Sequence, residues 1–189
     1  MENTAIINPT AFEALKDFNL AEAIEENMDG MDISALMAIY AEGNEENAAY
    51  FFPDLPEPER IRKAEAEFAR FLKDEFFPKP ENVQYVLEEG GEWVAALRLT
   101  KLTDCWWLEA LETKPGERRK GHALELLRAV QAELGPGEVI RDCVSKRNEP
   151  SLRTHFAAGF EIENDPAVDY LLGEIEERCF GMRFVHNIK

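Results

Sequence analysis

The stretch KPGERRKGHA, residues 114 to 123, places four cations (Lys114, Arg118, Arg119, Lys120) within seven positions of a chain whose formal net charge is -17. It runs through Gly121 into the apolar-periodic segment GHALELLRAVQAEL. That combination can hold an anion. The first turn of a helix carries unpaired backbone N–H groups, which act with the helix dipole on negative charge. Lys120, Gly121, His122 and Ala123 would donate those groups, with the His122 side chain facing solvent. Gly121 would let a phosphate approach the backbone, Ala123 would keep the next turn small, and the cations would add long-range attraction. The same spacing also suits a strand–helix junction that holds nothing. Neither a Walker loop nor a G-x-G-x-x-G turn is present. A second basic group, Arg141, Lys146, Arg147 and Arg153, would join the first in one cationic mouth if folding brought them together; otherwise both are solvated loops.

The elements that must position this stretch are legible in outline. Residues 32 to 42 have helical apolar spacing, with Asp32 as a possible N-cap. Residues 60 to 76 put Ile61, Ala64, Phe68, Phe71 and Leu72 on one side of the longest expected helix, with Pro58 near its start. Residues 84 to 88 and 93 to 100 read as a hairpin about Gly90-Gly91. Residues 105 to 113 form a strand leading into the helix after Gly121, which Gly135-Pro136-Gly137 stops. A strand at 138 to 145, a short helix from 149 to 158 closed by Gly159, and β-like runs at 160 to 163 and 178 to 185 complete the order.

Composition bounds the rest. The chain of 189 residues with 45% hydrophobic content fits one domain. Residues 1 to 80 carry 18 acids and 7 bases, net -11, and the remainder 20 acids and 14 bases, net -6. Such acidity repels polyphosphate, so nucleic acid is not an expected partner. No run of about 18 apolar residues exists, and MENTAIINPT lacks the form of a signal peptide, so no membrane partner is expected. Cys105, Cys143 and Cys179 are widely spaced and suggest neither a disulfide framework nor a metal site. The expected location is the cytoplasm.

Two stretches together carry a resemblance. Arg118-Arg119-Lys120-Gly121-His122-Ala123 resembles the R/Q-x-x-G-x-G/A acetyl-CoA motif of the GNAT family of N-acetyltransferases. NEPSLRTHFAAGFE, Asn148 to Glu161, resembles that family's N-x-x-[AS]-x-x-x-[Y]-x-x-x-G-F helix. The likeness is good from 84 to 184, loose from 32 to 80 and absent before residue 20.

The resemblance implies an α/β acyl-CoA N-acyltransferase (GNAT) fold, a mixed twisted β-sheet with splayed central parallel strands flanked by helices. Residues 28 to 189 would form it, with 1 to 27 an extension packed on it. It implies acetyl-CoA as cosubstrate, its pantetheine arm along the backbone of Leu111, Glu112 and Thr113 and its pyrophosphate on the N–H groups of Arg119 to Ala123. Arg118, Asn148 and Ser151 would contact it as well, and Lys146 or Arg147 would approach the nucleotide. The partners would be acetyl-CoA, an amine acceptor and, in a homodimer, a second copy of the chain.

Acetyl transfer to an amine needs a base for the nitrogen and an acid for the sulfur. Glu109 and Glu112 are candidate bases, but on a regular strand their opposite parity keeps both from facing the cleft unless a bulge intervenes. Glu109 would share its face with Trp107, Leu111 and Thr113. His155 stands where the resemblance implies an acid tyrosine, with Tyr170 or water as the alternative donor. A non-catalytic acetyl-CoA or CoA-binding regulatory or interaction module is the alternative function.

Overall fold

The computed structural model describes residues 4–7 and 33–187. Strand β1 (Thr4–Ile7) precedes helices α1 (Ile33–Ile39), α2 (Ala41–Phe51) and α3 (Glu57–Phe71). The chain continues through β2 (Asn82–Glu89), β3 (Glu92–Lys101), β4 (Trp106–Thr113) and α4 (His122–Glu133), then β5 (Val139–Ser145) and α5 (Glu149–Ala157). Strands β6 (Glu161–Asn164), β7 (Ala167–Asp169), β8 (Glu174–Glu176) and β9 (Cys179–Val185) complete it.

Local sequence accounts for most of these elements. Helix α1 buries Ile33, Leu36, Met37 and Ile39, the spacing of one helical face. Its expected cap, Asp32, lies outside the described residues. The chain bends at Tyr40 and α2 follows. That helix was not expected from the sequence, because AEGNEENAAYF buries only Asn44 and Ala48 and so has no apolar stripe to read. Helix α3 starts with Pro58 in its first turn and passes into a wider π turn over Leu72–Phe76. The β2–β3 hairpin turns on Gly90 and Gly91, both at positive φ, as a two-residue loop of right-handed strands requires.

The sheet runs β1-β2-β3-β4-β5-β9-β6, with β7 and β8 as a separate two-stranded ribbon. Among the pairings of the described residues in this sheet only β4 with β5 is parallel, reached by the crossover through α4. These two strands pair only at Trp106↔Ile140 and Trp107↔Arg141 and then part, so the expected mixed sheet with splayed parallel strands is present. Within the segment expected as an extension, Thr4–Ile7 pairs with β2 as an edge strand of this sheet; the rest of residues 1–27 lies outside the described residues.

Two cores form, one on each face. Helix α4 lays Leu126, Leu127 and Val130 against Leu87, Leu97, Leu99, Leu108 and Ile140. On the opposite face Ile33, Leu36, Ile39, Leu72 and Phe76 cover Val86 and Ala96. Burying each such side chain stabilises by roughly 1.5–3 kcal/mol, which fixes both layers to the strands that part.

Candidate active site at the sheet fork

The anion loop lies between the end of β4 and α4. Gly121 occupies the N-cap position of α4 at φ 97°, with no side chain capping the helix. Its carbonyl accepts from Glu125 N at 3.0 Å, so the first-turn N–H groups are left to point outward. A Cβ built on Gly121 would meet nothing within 4 Å. The space before the loop is open, and it is the backbone angle that calls for glycine. Arg119, also at positive φ, is exposed.

His122 corrects the expectation of a solvent-facing side chain, being only 5% exposed. It shares the inward face of α4 with Leu126 and Val130, the i, i+4, i+8 series that helical spacing dictates. Its Nε2 lies 3.2 Å from Glu89 Oε2 and 3.4 Å from Glu117 Oε2. Lys120 Nζ is 2.6 Å from that Glu117 oxygen and holds the Glu117 carboxyl below its ordinary range. Lys120, Glu117, His122 and Glu89 thus lace the loop to the β2–β3 hairpin. The three carboxylate and imidazole atoms fall within 4.8 Å of one another, a spacing that hydrogen bonding through one imidazole N–H accounts for without a metal.

Cations of both basic groups are paired with local carboxylates. Arg118 pairs with Glu42 at 2.6 Å and approaches Glu112 at 3.9 Å, and Lys114 pairs with Glu92. In the second group Arg141 is held by Asp104 and Glu163, Lys146 by Asp165, and Arg153 by Glu149. An acidic surface supplies a local carboxylate to each of these cations, so the groups are neutralised where they stand.

On the β4 arm a bulge resolves the parity conflict of the two glutamates. Arg98 faces Glu109 and Ala96 faces Glu112, so Ala110 and Leu111 together oppose Leu97; Ala110 takes φ 53°. The extra residue turns the end of the strand over. Leu111 consequently packs with the α4 core and Thr113 stands opposite Ala95 of that core, which corrects the expected place of both on the Glu109 face. Glu112 joins Glu109 on the α1–α3 side, where both carboxylates act on Tyr40. Tyr40 donates its hydroxyl to Ala110 O at 3.1 Å and so ties α1 to the bulge.

Burial pushes both carboxyls above the ordinary 4.5, against the opposing charge of Arg98 at Glu109 and of Arg118 at Glu112. Arg98 lies within 5.2–5.6 Å of the ring centroids of Phe68, Phe71 and Phe76, and its Nε is buried without a hydrogen-bond partner among the described residues. Leu111, Glu112 and Thr113 lie past the fork, where β4 keeps β3 on one edge and has left β5 on the other.

The β5 arm carries a different set. His155 is fully buried, with Nε2 2.8 Å from Asp142 Oδ2 and Nδ1 2.8 Å from Ser151 O. Burial alone would lower its pKa, but the Asp142 carboxylate and the Ser151 carbonyl outweigh that and raise it. Asn148 caps α5, its Oδ1 accepting from Ser151 N at 3.1 Å. Tyr170 lies on the other face, its ring tilted against Trp107 at 5.9 Å and covered by the Arg141 guanidinium at 4.7 Å. Its hydroxyl is directed to Glu163 and Asn164. The two candidate proton donors therefore stand on opposite faces, near the last β4–β5 pair.

Sequence reasoning missed Asp142, Tyr40 and Arg98. Two of them left a trace: Asp142 alternates with Ile140 and Val144, and Arg98 interrupts the apolar run WVAALRLT. A charge at a core-parity position of a strand is the signal.

Residues 34–160 match the family model described as Acetyltransferase (GNAT) family. No curated protein matches by sequence. Among solved structures, ribosomal-protein-S18-alanine N-acetyltransferase from Escherichia coli is similar over 99% of this chain and 96% of its own, with TM-score 0.55 and 16% identity. Spermidine N-acetyltransferase from Vibrio cholerae, in complex with CoA and spermine, is similar over 85% and 94%, with TM-score 0.54 and 15% identity. N-acetyltransferase PseH from Campylobacter jejuni is similar over 97% and 99%, with TM-score 0.53 and 12% identity. At these identities the likeness is one of fold.

Proposed function

The chain belongs to the acetyltransferase (GNAT) family, and from that premise we propose that it transfers the acetyl group of acetyl-CoA to a primary amine, by direct attack with both substrates bound. The observation that carries this reading is the fork. β4 and β5 pair at two positions only, leaving a free backbone edge at Leu111–Thr113 on the strand that leads into the uncapped start of α4 at Gly121.

The residues present fit the cosubstrate. The open space before Gly121 and the outward N–H groups of the first turn suit a pyrophosphate. The free edge of β4 suits an extended amide chain. When bound, acetyl-CoA supplies an acetyl carbonyl already activated as a thioester. The chain's own groups do the rest. Glu109 and Glu112, raised by burial, are poised to take a proton from an ammonium group, since a base works best when its pKa approaches the operating pH. Both sit on the α1–α3 side, Glu112 in the field of Glu42 and Glu46 and Glu109 in that of Asp169, which favours a cationic acceptor over a neutral or anionic one. The spermine bound by the Vibrio cholerae enzyme is an amine of that kind.

One observation favours the second reading, a binding module without turnover: both ring nitrogens of His155 are already engaged. Thermal shift with acetyl-CoA, CoA and ATP in parallel tests the ligand, because a native-state ligand stabilises by RT ln(1 + [L]/Kd). Thiol release with a panel of polyamines, aminoglycosides and peptide N-termini tests the reaction. Stabilisation by acetyl-CoA together with release on a cationic amine is the expected result. Stabilisation without release on any amine would leave the module, and equal stabilisation by ATP would remove both.

A further inference from the structure

Arg141, the first member of the second basic group in the sequence, occupies the last β4–β5 pair, opposite Trp107. Its side chain is only 13% exposed and is held from three directions. Nε lies 2.7 Å from Glu163 Oε2 and Nη2 3.1 Å from Glu163 Oε1, the two-pronged grip of a guanidinium on a carboxylate. Nη1 donates to Asp104 Oδ2 at 3.2 Å, in the bend before β4. The guanidinium carbon stands 4.7 Å from the centre of the Tyr170 ring, and that ring rests against Trp107. Lysine cannot reproduce a contact that is planar, forked and stacked at once.

What the grip secures is the β7–β8 ribbon. Tyr170 directly follows β7, and the ribbon beyond it has little apolar support, since Leu171, Leu172 and Ile175 are exposed. Asp169, the last residue of β7, accepts through Oδ1 from Leu171 N at 2.8 Å and Leu172 N at 2.9 Å, and its negative charge bears on Glu109. Glu109 stands two residues along β4 from Trp107 and so on the same face. Seating Tyr170 on Trp107 therefore brings Asp169 to Glu109. Two carboxylates kept together repel one another until a cation joins them. Arg98 on β3, paired in register with Glu109, offsets some of that charge, and Asp142 on β5 adds to it.

We propose that Arg141 is a positioning residue for the acceptor: by seating Tyr170 on Trp107 it fixes the ribbon so that Asp169 and Glu109 together receive one ammonium group. A ribbon free to swing would carry Asp169 into solvent and leave Glu109 to meet the amine alone. Arg141 and Asp169 make and break no bond in this role, so binding of the amine depends on the clamp more than the transfer step does. The inference rests on the transfer reading given above and deepens it on the acceptor side.

Arg141→Lys keeps the charge and removes both the fork and the ring contact. The first readout is amide hydrogen exchange in the full chain with neither substrate present. Residues 167 to 176 should exchange at least about tenfold faster in Arg141→Lys, with β2 and β3 unchanged; a ribbon whose exchange does not change overturns the proposal. The second readout is turnover with an amine that releases thiol. Arg141→Lys should raise KM for the amine at least about tenfold, lower kcat by less than about threefold and leave KM for acetyl-CoA within about twofold. Asp169→Asn, which keeps the oxygen that holds the turn, should raise KM for the amine when made alone and add little to Arg141→Lys, because residues that act through one element are not additive. A loss confined to kcat, or two losses that add in full, overturns the assignment. Should Arg141→Lys fail to fold, Glu163→Gln weakens the same grip from the other partner and carries the same expectations. Failure of the transfer reading would show separately, as no thiol release from any amine in the unaltered protein, because exchange is read without substrate.

Discussion

The two faces of the central sheet solve opposite problems. Toward α4 and α5 it presents Leu87, Leu97, Leu99, Leu108 and Ile140, with charge admitted only where it is matched, as at Asp142 with His155 and at His122 with Glu89. Toward α1 and α3 the same strands present Gln84, Arg98, Glu109 and Glu112 beneath an aromatic cover. Several groups there are incompletely satisfied: Gln84 Oε1 and Arg98 Nε are buried without hydrogen-bond partners among the described residues. Unsatisfied buried polar groups and raised carboxyls are costly to a fold, and they concentrate where ligands and chemistry supply what the fold withholds. The first face anchors the fork; the second is where an acceptor amine would find its base.

The sharpest way to break this contrast is to neutralise the second face. Glu109→Gln should lower kcat on an active amine by about a hundredfold if Glu109 is the base. If Glu112→Gln causes the drop and Glu109→Gln does not, the roles exchange along the bulge. If neither does, the chemistry does not belong to this face. Stability gives an independent sign. Burial raises the folded pKa of Glu109 above 4.5, so its favourable contribution is complete below that value and is lost as pH rises through the raised one. Glu109→Gln should therefore raise Tm at pH 7, with the gain vanishing in acid.

On the first face, Gly121→Val forces a branched side chain onto a φ of 97°. It should weaken acetyl-CoA binding at least about tenfold, or about 1.4 kcal/mol, while the fold survives, because the site relies on backbone and the mutant turn must re-aim its N–H groups. Calorimetric titration reads it directly. Tyr40→Phe removes the hydroxyl that α1 sends to the bulge and should cost about 1 kcal/mol of unfolding free energy. No loss in a denaturant midpoint would mean that the bulge holds without its tether. The smallest effect belongs to Arg118→Ala. It removes an exposed cation already engaged by Glu42 and leaves every N–H in place, so the change in acetyl-CoA affinity should be a few tenths of a kcal/mol and should shrink further with salt. Equal losses for Gly121→Val and Arg118→Ala at high salt would turn the backbone cradle into a charge patch.

The first face was largely open to sequence reading, since its features are local. A glycine at a strand–helix junction, the periodicity of α4 and the Asn148 start of α5 each occupy a few consecutive residues, and the mixed sheet was expected from the family resemblance those stretches carry. His122 was misplaced by attention to its loop when the helix period already placed it on the inward face. The second face depends on contacts between distant residues. Tyr40 meets Ala110 across 70 positions, α2 offers no apolar stripe, and the Phe68, Phe71 and Phe76 cover over Arg98 exists only once α3 has docked. The bulge was foreseen as a condition, because two glutamates three apart cannot share a strand face without one, but only the register of β3 against β4 locates it.

That single extra residue has a consequence for how such a protein can change over generations. Substitution can swap Glu109 or Glu112 for another side chain but leaves both addressed to the same face, since the address is written in the bulge between them. Losing Ala110 would iron the bulge out and leave Leu111 opposite Leu97, with Glu109 and Glu112 still on one face; only regular pairing with the extra residue retained would send Glu112 toward the leucines of α4 and Leu111 toward Tyr40. The shared orientation of the two carboxylates thus survives both point change and loss of the extra residue, and fails where the residue stays and the bulge does not.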